Sequence, residues 1–215
     1  MAELALLPEV GNEFSYIEEM GADVYDELMK FYTGKRVLIF NKDIDSTIIE
    51  SYAIRILKWN EEDKNIAPDL RKPITILINS CGGDLFSTLF FIDILKQSKT
   101  PIRTVGMGFV ASAAYYIYIN GHDRIAFENT TFLQHDGTID IAGSNSKVKD
   151  FIAFNDYTEE RIKKMILSVT KIDPEFYDKT FDKEYYFFAD KGKDLGVVDK
   201  IIGQDVELTY IFEWG

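Results

Sequence analysis

The sequence predicts an α/β protein organised on a parallel sheet. "ITILINS", residues 74–80, is apolar and β-branched over most of its length, as expected for a strand covered on both faces. Segments with helical spacing of apolar residues alternate with strands of this kind, the order that right-handed βαβ crossovers produce. No internal repeat, low-complexity segment or Gly/Ser linker interrupts them, so residues 1–215 read as one continuous domain.

Each element follows from its own pattern. An acidic, partly aromatic opening leads into "ADVYDELMKFY", where Val24, Leu28 and Phe31 recur at helical spacing. "RVLIF" is a short buried strand. "STIIESYAIRILKWN" places Ile48, Tyr52, Ile56 and Leu57 on one face of an amphipathic helix, with Ser46 as its cap. The polar loop "NEEDKNIAPDLRKP" leads to "ITILINS", which stops at "CGGD". "LFSTLFFIDILKQS" is then a strongly apolar helix, "IRTVGM" a third strand, "SAAYYIYIN" another helix and "RIAFENTTFLQH" further strand. After a Gly-bearing link, "SKVKDFIAFNDYTEERIKKMILSVT" is a long helix with Phe151, Phe154, Ile162, Met165 and Ile166 at helical spacing, and its "EERIKK" reads as an exposed charged face. The aromatic "YYFF" packs inward, and "GKDLGVVDKIIG" closes the sheet.

Composition narrows the function. A net charge of −12 and a pI near 4.7 lack the clustered Lys and Arg that neutralise phosphates, which argues against nucleic acid as a partner. The longest apolar runs are broken by polar residues and fall short of the roughly 20 residues a membrane span needs. The lone Cys81 has no partner for an internal disulfide, and "MAELALLPEVGNEF" has neither a basic n-region nor a long apolar stretch. The expectation is a cytosolic, soluble protein.

In open α/β sheets, ligands bind beyond the carboxyl ends of the strands, where backbone N–H groups at helix starts face them. Two junctions qualify. In "INSCGGD", Gly82 and Gly83 permit a tight turn and close approach of the backbone to a ligand, though a plain structural turn explains a Gly pair as well. "GMGFVAS" ends on Ser112 and opens into a helix of small residues, so Ser112 is either a helix cap or a nucleophile. An acyl-transfer serine needs a base near neutral pKa, and the chain has only His122 and His135. His122 lies in the turn "NGHDR" and reads as solvent-facing; His135 follows the strand "NTTFLQ", at the sheet edge the other junctions share, and is the better base. For the acid that orients it, Asp182, Glu184 and Asp190 in "TFDKEYYFFADKG" are candidates, while Asp136 is too close in sequence to be an obvious partner.

These motifs resemble those of the proteolytic subunit of the Clp protease, a self-compartmentalising serine peptidase family, over nearly the whole chain. "ALLPEV" is similar to the family's N-terminal axial segment (residues 1–22 here), "INSCGG" to its Ile-Asn-Ser-Pro-Gly-Gly, "MGFVAS" to its Met-Gly-x-Ala-Ala-Ser, "AFENTTFLQH" to its Leu-Pro-Asn-Ser-x-x-Met-Ile-His, and "LGVVDKII" to its Tyr-Gly-Leu-Val-Asp-x-Ile. The resemblance implies a ClpP/crotonase-like spiral of βαβ units with a protruding handle helix, the handle region falling on residues 138–170. It places Ser112 on the nucleophile, His135 on the general base, and Gly83 and Ala113 on the pair whose N–H groups form the oxyanion hole. Counted back from "LGVVD", the third member falls on Glu184, with Asp182 two residues upstream. The resemblance further implies a heptamer or double heptamer, docking of an AAA+ unfoldase that spends the ATP, peptide or unfolded-protein substrates, and no cofactor in this chain.

The chain departs from the family pattern where Cys81 replaces proline, where "HDG" replaces His-Gln-Pro, and where glutamate stands for aspartate. Three functions follow as alternatives: a ring-forming serine endopeptidase, a catalytically weak or silent Clp-like scaffold beside an active paralogue, and a crotonase-like acyl-CoA enzyme. Retention of Ser112 and His135 favours the first, and nothing basic near the Gly-Gly turn suits the phosphates of CoA.

Overall fold

The computed structural model describes residues 22–213. Residues up to Arg36 form one unit and residues from Val37 a second. In the first, α1 (Ala22–Gly34) carries Val24, Leu28 and Phe31 one turn apart, and the rings of Phe31 and Tyr32 meet edge-on at 5.5 Å. All but the last residue of the expected axial segment, 1–22, lies outside the described residues.

The second unit opens with β1 (Val37–Asn41), a π-helical turn (Ile49–Ala53) and the helix α2 that continues it (Ile54–Glu62). Ile48, Tyr52, Ile56 and Trp59 form its buried face, and the Tyr52 hydroxyl donates to the Ile39 carbonyl at 2.7 Å. Leu57, expected on that face, is 51% exposed, because it follows Ile56 by one residue and so points about 100° away from it. Ser46 is not the cap: the Asp45 carboxylate accepts the Thr47 N–H at 2.8 Å and shapes the entry turn instead.

The sheet is parallel in the order β1-β2-β3-β4-β7, with β2 at Ile74–Ser80, β3 at Ile102–Ala111, β4 at Asp123–Ala126 and β7 at Lys200–Ile201. β5 (Thr131–Gln134) pairs parallel with the far end of β3, and β6 (Tyr185–Phe188) pairs antiparallel with β5. "RIAFENTTFLQH" is thus two strands rather than one. The division follows from a bend in β3. Between the pairs Ile78↔Gly106 and Ser80↔Val110, β2 advances two residues and β3 four. Asn79 fills the interruption: its Oδ1 accepts the Phe109 N–H at 2.9 Å and its Nδ2 donates to Asn41 Oδ1 at 2.7 Å. Gly108 takes φ 60° there, where a Cβ would lie 2.8 Å from Asn79 Oδ1. β3 therefore pairs with β4 through Arg103–Gly106 and with β5 through Phe109–Ala111.

Helices cover the sheet. α3 (Leu85–Gln97) is capped by Asp84, whose Oδ1 accepts the Ser87 N–H at 2.7 Å. α4 (Ala113–Ile119) is buried at all seven positions, which explains its apolar sequence on every side. α5 (Asn145–Val169) is packed at Thr158, Ile162, Met165 and Ile166, while its N-terminal half leaves Ile152, Phe154 and Tyr157 exposed. α6 (Pro174–Thr180) and α7 (Ala189–Asp194) flank β6. Among the described residues no helix is long and apolar enough to cross a membrane.

Arg124 and Asp199 join three of these elements. Asp199 accepts from Arg124 Nε at 3.0 Å, Nη2 at 2.7 Å and the Arg124 backbone N–H at 2.9 Å, while Arg124 Nη1 donates to the Val169 carbonyl at 2.6 Å. The pair thus ties the start of β4 to the end of α5 and to the approach to β7. Removing the carboxylate leaves Nε, Nη2 and the backbone N–H of Arg124 without their acceptor, with only Nη1 still bonded to the Val169 carbonyl. Asp199→Ala is expected to lower the unfolding free energy by about 1–3 kcal/mol in urea denaturation, with Asp199→Asn losing less.

Candidate active site

Ser112 follows β3 directly and precedes α4. Its backbone sits at φ 53°, ψ −125°, one of two positive-φ non-glycine residues among those described. Such a conformation costs on the order of 1–3 kcal/mol in a residue with a Cβ and persists only where the surroundings impose it. Those surroundings are visible. The Ser112 N–H donates to the Leu133 carbonyl at 2.9 Å, and its carbonyl accepts the Tyr116 N–H at 3.3 Å. Although Ser112 occupies the cap position of α4, its hydroxyl caps nothing. The sharp strand-to-helix turn puts Ser112, half-buried, on the wall of a cavity, and a turn of this kind is associated with nucleophilic serines.

The Gly82-Gly83 turn packs against this elbow. A Cβ on Gly82 would stand 2.8 Å from the Ser112 Cβ and 3.0 Å from the Ala113 nitrogen. Gly83 is held from the other side, where a Cβ would lie 2.3 Å from the Ile44 carbonyl oxygen. Ile44 donates to the Gly82 carbonyl and accepts from the Asp84 N–H, both at 2.8 Å. These bonds leave the N–H groups of Gly83 and Ala113 without an acceptor among the described residues, the second because the first N–H groups of a helix have no intrahelical partner. Two unused donors beside a strained serine can stabilise a developing oxyanion.

His135 is the residue after β5, partly buried, with its carbonyl facing the Tyr116 hydroxyl at 3.4 Å. Since Ala111 pairs with Leu133, the elbow and His135 leave the sheet side by side. Among the described residues no hydrogen bond joins Ser112 Oγ to the imidazole and no ion pair joins the imidazole to a carboxylate. Catalytic hydrogen bonds of this kind are often loose without substrate. Continuing the β5–β6 register one step beyond Gln134↔Tyr185 sets Glu184 across from His135. Its carboxylate, however, accepts the Tyr186 hydroxyl at 2.8 Å, and that bond raises the Tyr186 pKa. Asp182, Asp190 and Asp136 are all exposed, and Asp190 is engaged by the Lys191 N–H at 2.7 Å. His122 stands at the opposite end of the strands, exposed, with Nδ1 accepting the Ile102 N–H at 3.0 Å. Partial desolvation of its ring lowers its pKa, more than a backbone bond to Leu95 raises it.

Beside Ser112 opens a cavity of about 380 Å³. Gly83, Ala113 and Tyr116 line one side, and α5 contributes Phe154, Glu159 and Ile162. Glu159 belongs to the "EERIKK" stretch expected to be an exposed face; only its inward placement on α5, set by Ile162 and Met165 nearby, turns it to the cavity. Tyr116, Tyr186, Asn79 and Ile44 were likewise missed as contributors. Asn79 had a signal, a polar residue inside an otherwise buried strand; the others had none. Among the described residues no group of three or more His, Cys, Asp and Glu side chains is arranged to hold a metal ion.

Comparison with known proteins gives the family and the fold. Residues 18–205 match the family described as Clp protease. The ATP-dependent Clp protease proteolytic subunit 1 of Streptomyces coelicolor is 26% identical over 92% of this chain and 86% of its own length. Proteolytic subunit 2 of Corynebacterium glutamicum is 26% identical over 85% and 87%. A solved ClpP1 mutant from Listeria monocytogenes superposes with a TM-score of 0.71 at 25% identity, covering 86% of this chain and 99% of that one.

The backbone of Ser112 carries its own test. Because glycine relieves the positive φ and alanine does not, Ser112→Gly is expected to be more stable than Ser112→Ala by about 1 kcal/mol in chemical denaturation. Equal stabilities would mean that the elbow relaxes once the hydroxyl is gone.

Proposed function

This chain belongs to the Clp protease family, a family of peptidases, and on that premise we propose that it is a serine-type endopeptidase subunit cleaving unfolded proteins and peptides inside a ring-shaped chamber. The observation that carries the reading is Ser112: a strained elbow, a hydroxyl committed to no cap, and two adjacent unused N–H donors. In the proposed reaction Ser112 Oγ attacks the peptide carbonyl carbon while His135 takes its proton. The carbonyl electron pair moves onto oxygen, where the Gly83 and Ala113 N–H groups stabilise it; one such donor typically contributes about 3–4 kcal/mol. Collapse breaks the C–N bond, the imidazolium returns its proton to the leaving amine, and water repeats the sequence to release the acid and restore Ser112. Glu184 is the proposed orienter of His135.

The relatives' names describe ATP-dependent proteolytic subunits. We extend that to a homo-oligomer, heptameric or double-heptameric, served by an AAA+ unfoldase that spends the ATP, so that this chain needs no cofactor of its own. The exposed Ile152, Phe154 and Tyr157 on the handle half of α5 support self-association. A cytoplasmic location completes the proposal. The bond from Tyr186 to Glu184 favours a second reading, a weak or silent scaffold subunit beside an active paralogue, because it holds one oxygen of the carboxylate proposed to orient His135, to which no bond from the imidazole is made among the described residues.

Labelling with a fluorophosphonate serine-hydrolase probe, mapped by mass spectrometry, separates the two. The peptidase reading expects wild-type protein to be modified on Ser112, with labelling abolished in Ser112→Ala and reduced at least about 100-fold in His135→Ala. Absence of labelling in a ring-sized particle would establish the scaffold. Tyr186→Phe, by releasing Glu184, is expected to raise the labelling rate, and Glu184→Gln to lower it; two unchanged rates would remove Glu184 from the proposed triad.

A further inference from the structure

The cavity beside Ser112 has a chemistry of its own. Its walls are largely apolar, with Leu85 and Phe86 from α3 facing Phe154 and Ile162 from α5. The rings of Phe86 and Phe154 stack at 6.3 Å along one wall. Against these walls stand three carboxylates, Asp84, Asp140 and Glu159, while no Lys, Arg or His lines the cavity among the described residues. Asp84 is committed to capping α3. Glu159 is half-buried and receives only the neutral Asn155 amide, at 2.8 Å. Its charge reaches toward the elbow: after burial, it is the largest influence raising the pKa of Tyr116, which lines the same cavity.

We propose that this cavity receives the side chain on the acyl side of the scissile bond and selects lysine or arginine there, with Glu159 as the specificity-determining residue. The inference rests on the peptidase reading of Ser112. An aliphatic stem fits the walls formed by Phe86, Phe154 and Ile162, and its cationic head meets a half-buried carboxylate that has no salt-bridge partner among the described residues. A neutral apolar side chain would cover the same walls but bury Glu159 with only the neutral Asn155 amide and no counter-charge. An acidic one would add a fourth carboxylate. Selectivity of this kind comes as much from what the cavity rejects as from what it binds.

Peptide aminocoumarins identical except for Lys, Arg, Leu, Phe or Glu before the scissile bond test it on the full-length protein, beside the fluorophosphonate label. The expected result is a kcat/KM for Lys and Arg at least about tenfold above Leu and Phe, with Glu the poorest. In Glu159→Gln the Lys and Arg rates fall about tenfold or more while Leu and Phe are unchanged or faster. If Ser112 is labelled but Leu or Phe leads, or if Glu159→Gln leaves the order intact, the specificity is overturned and the peptidase reading stands. If Ser112 is never labelled, that reading fails. The cavity is then judged by calorimetric binding of the Lys and Leu peptides to Ser112→Ala: tighter Lys binding that Glu159→Gln removes upholds the selectivity, and equal binding overturns it.

Discussion

The close passage of the Gly82-Gly83 turn between Ile44 and Ser112 is the constraint on which the site depends. A Cβ at either glycine would meet backbone or the Ser112 Cβ within 3.0 Å, so this approach exists only with two glycines. The turn braces the strained backbone of Ser112 from one side, and the bond from its N–H to Leu133 fixes it from the other. Strain held this way is available to the site because the surrounding sheet over-determines it.

The bend of β3 has a comparable role at larger scale. Had β3 continued straight beside β2 and β4, Ser112 would end against the parallel sheet rather than beside β5. Asn79 makes the interruption affordable by satisfying the Phe109 N–H that the ladder abandons. The second half of β3 then carries β5 and β6 with it, which brings His135 and Glu184 to the elbow on adjacent strands. Packing of Tyr115, Phe132 and Phe187 behind them, with ring centroids 5.4–6.5 Å apart, holds this corner rigid.

α5 serves two environments along its length. Its C-terminal half packs into the core, its middle carries Phe154 and Glu159 along the cavity, and Ile152 and Tyr157 stay exposed. One helix thus links the proposed assembly surface to the proposed selectivity of the site. Tyr186 makes a second link, since its hydroxyl holds Glu184 and its ring stacks on Phe109 at 6.5 Å, on the bent half of β3.

Much of this was legible in the amino-acid order. The alternation of buried strand and helix, the glycine pair at a strand end, and a serine among small residues at the next strand end are local patterns, set by side-chain burial and backbone sterics over a few residues. Ser112 and His135 could be singled out because serine and histidine chemistry is specific and the chain holds only two histidines. What depended on contacts distant in sequence was not legible. The positive φ of Ser112, the bracing by Ile44, the capture of Glu184 by Tyr186 and the turning of Glu159 into the cavity each depend on which strand lies beside which and on the rotation of a helix about its axis. Those are fixed by packing summed over the whole sheet, and only the tertiary structure decided them.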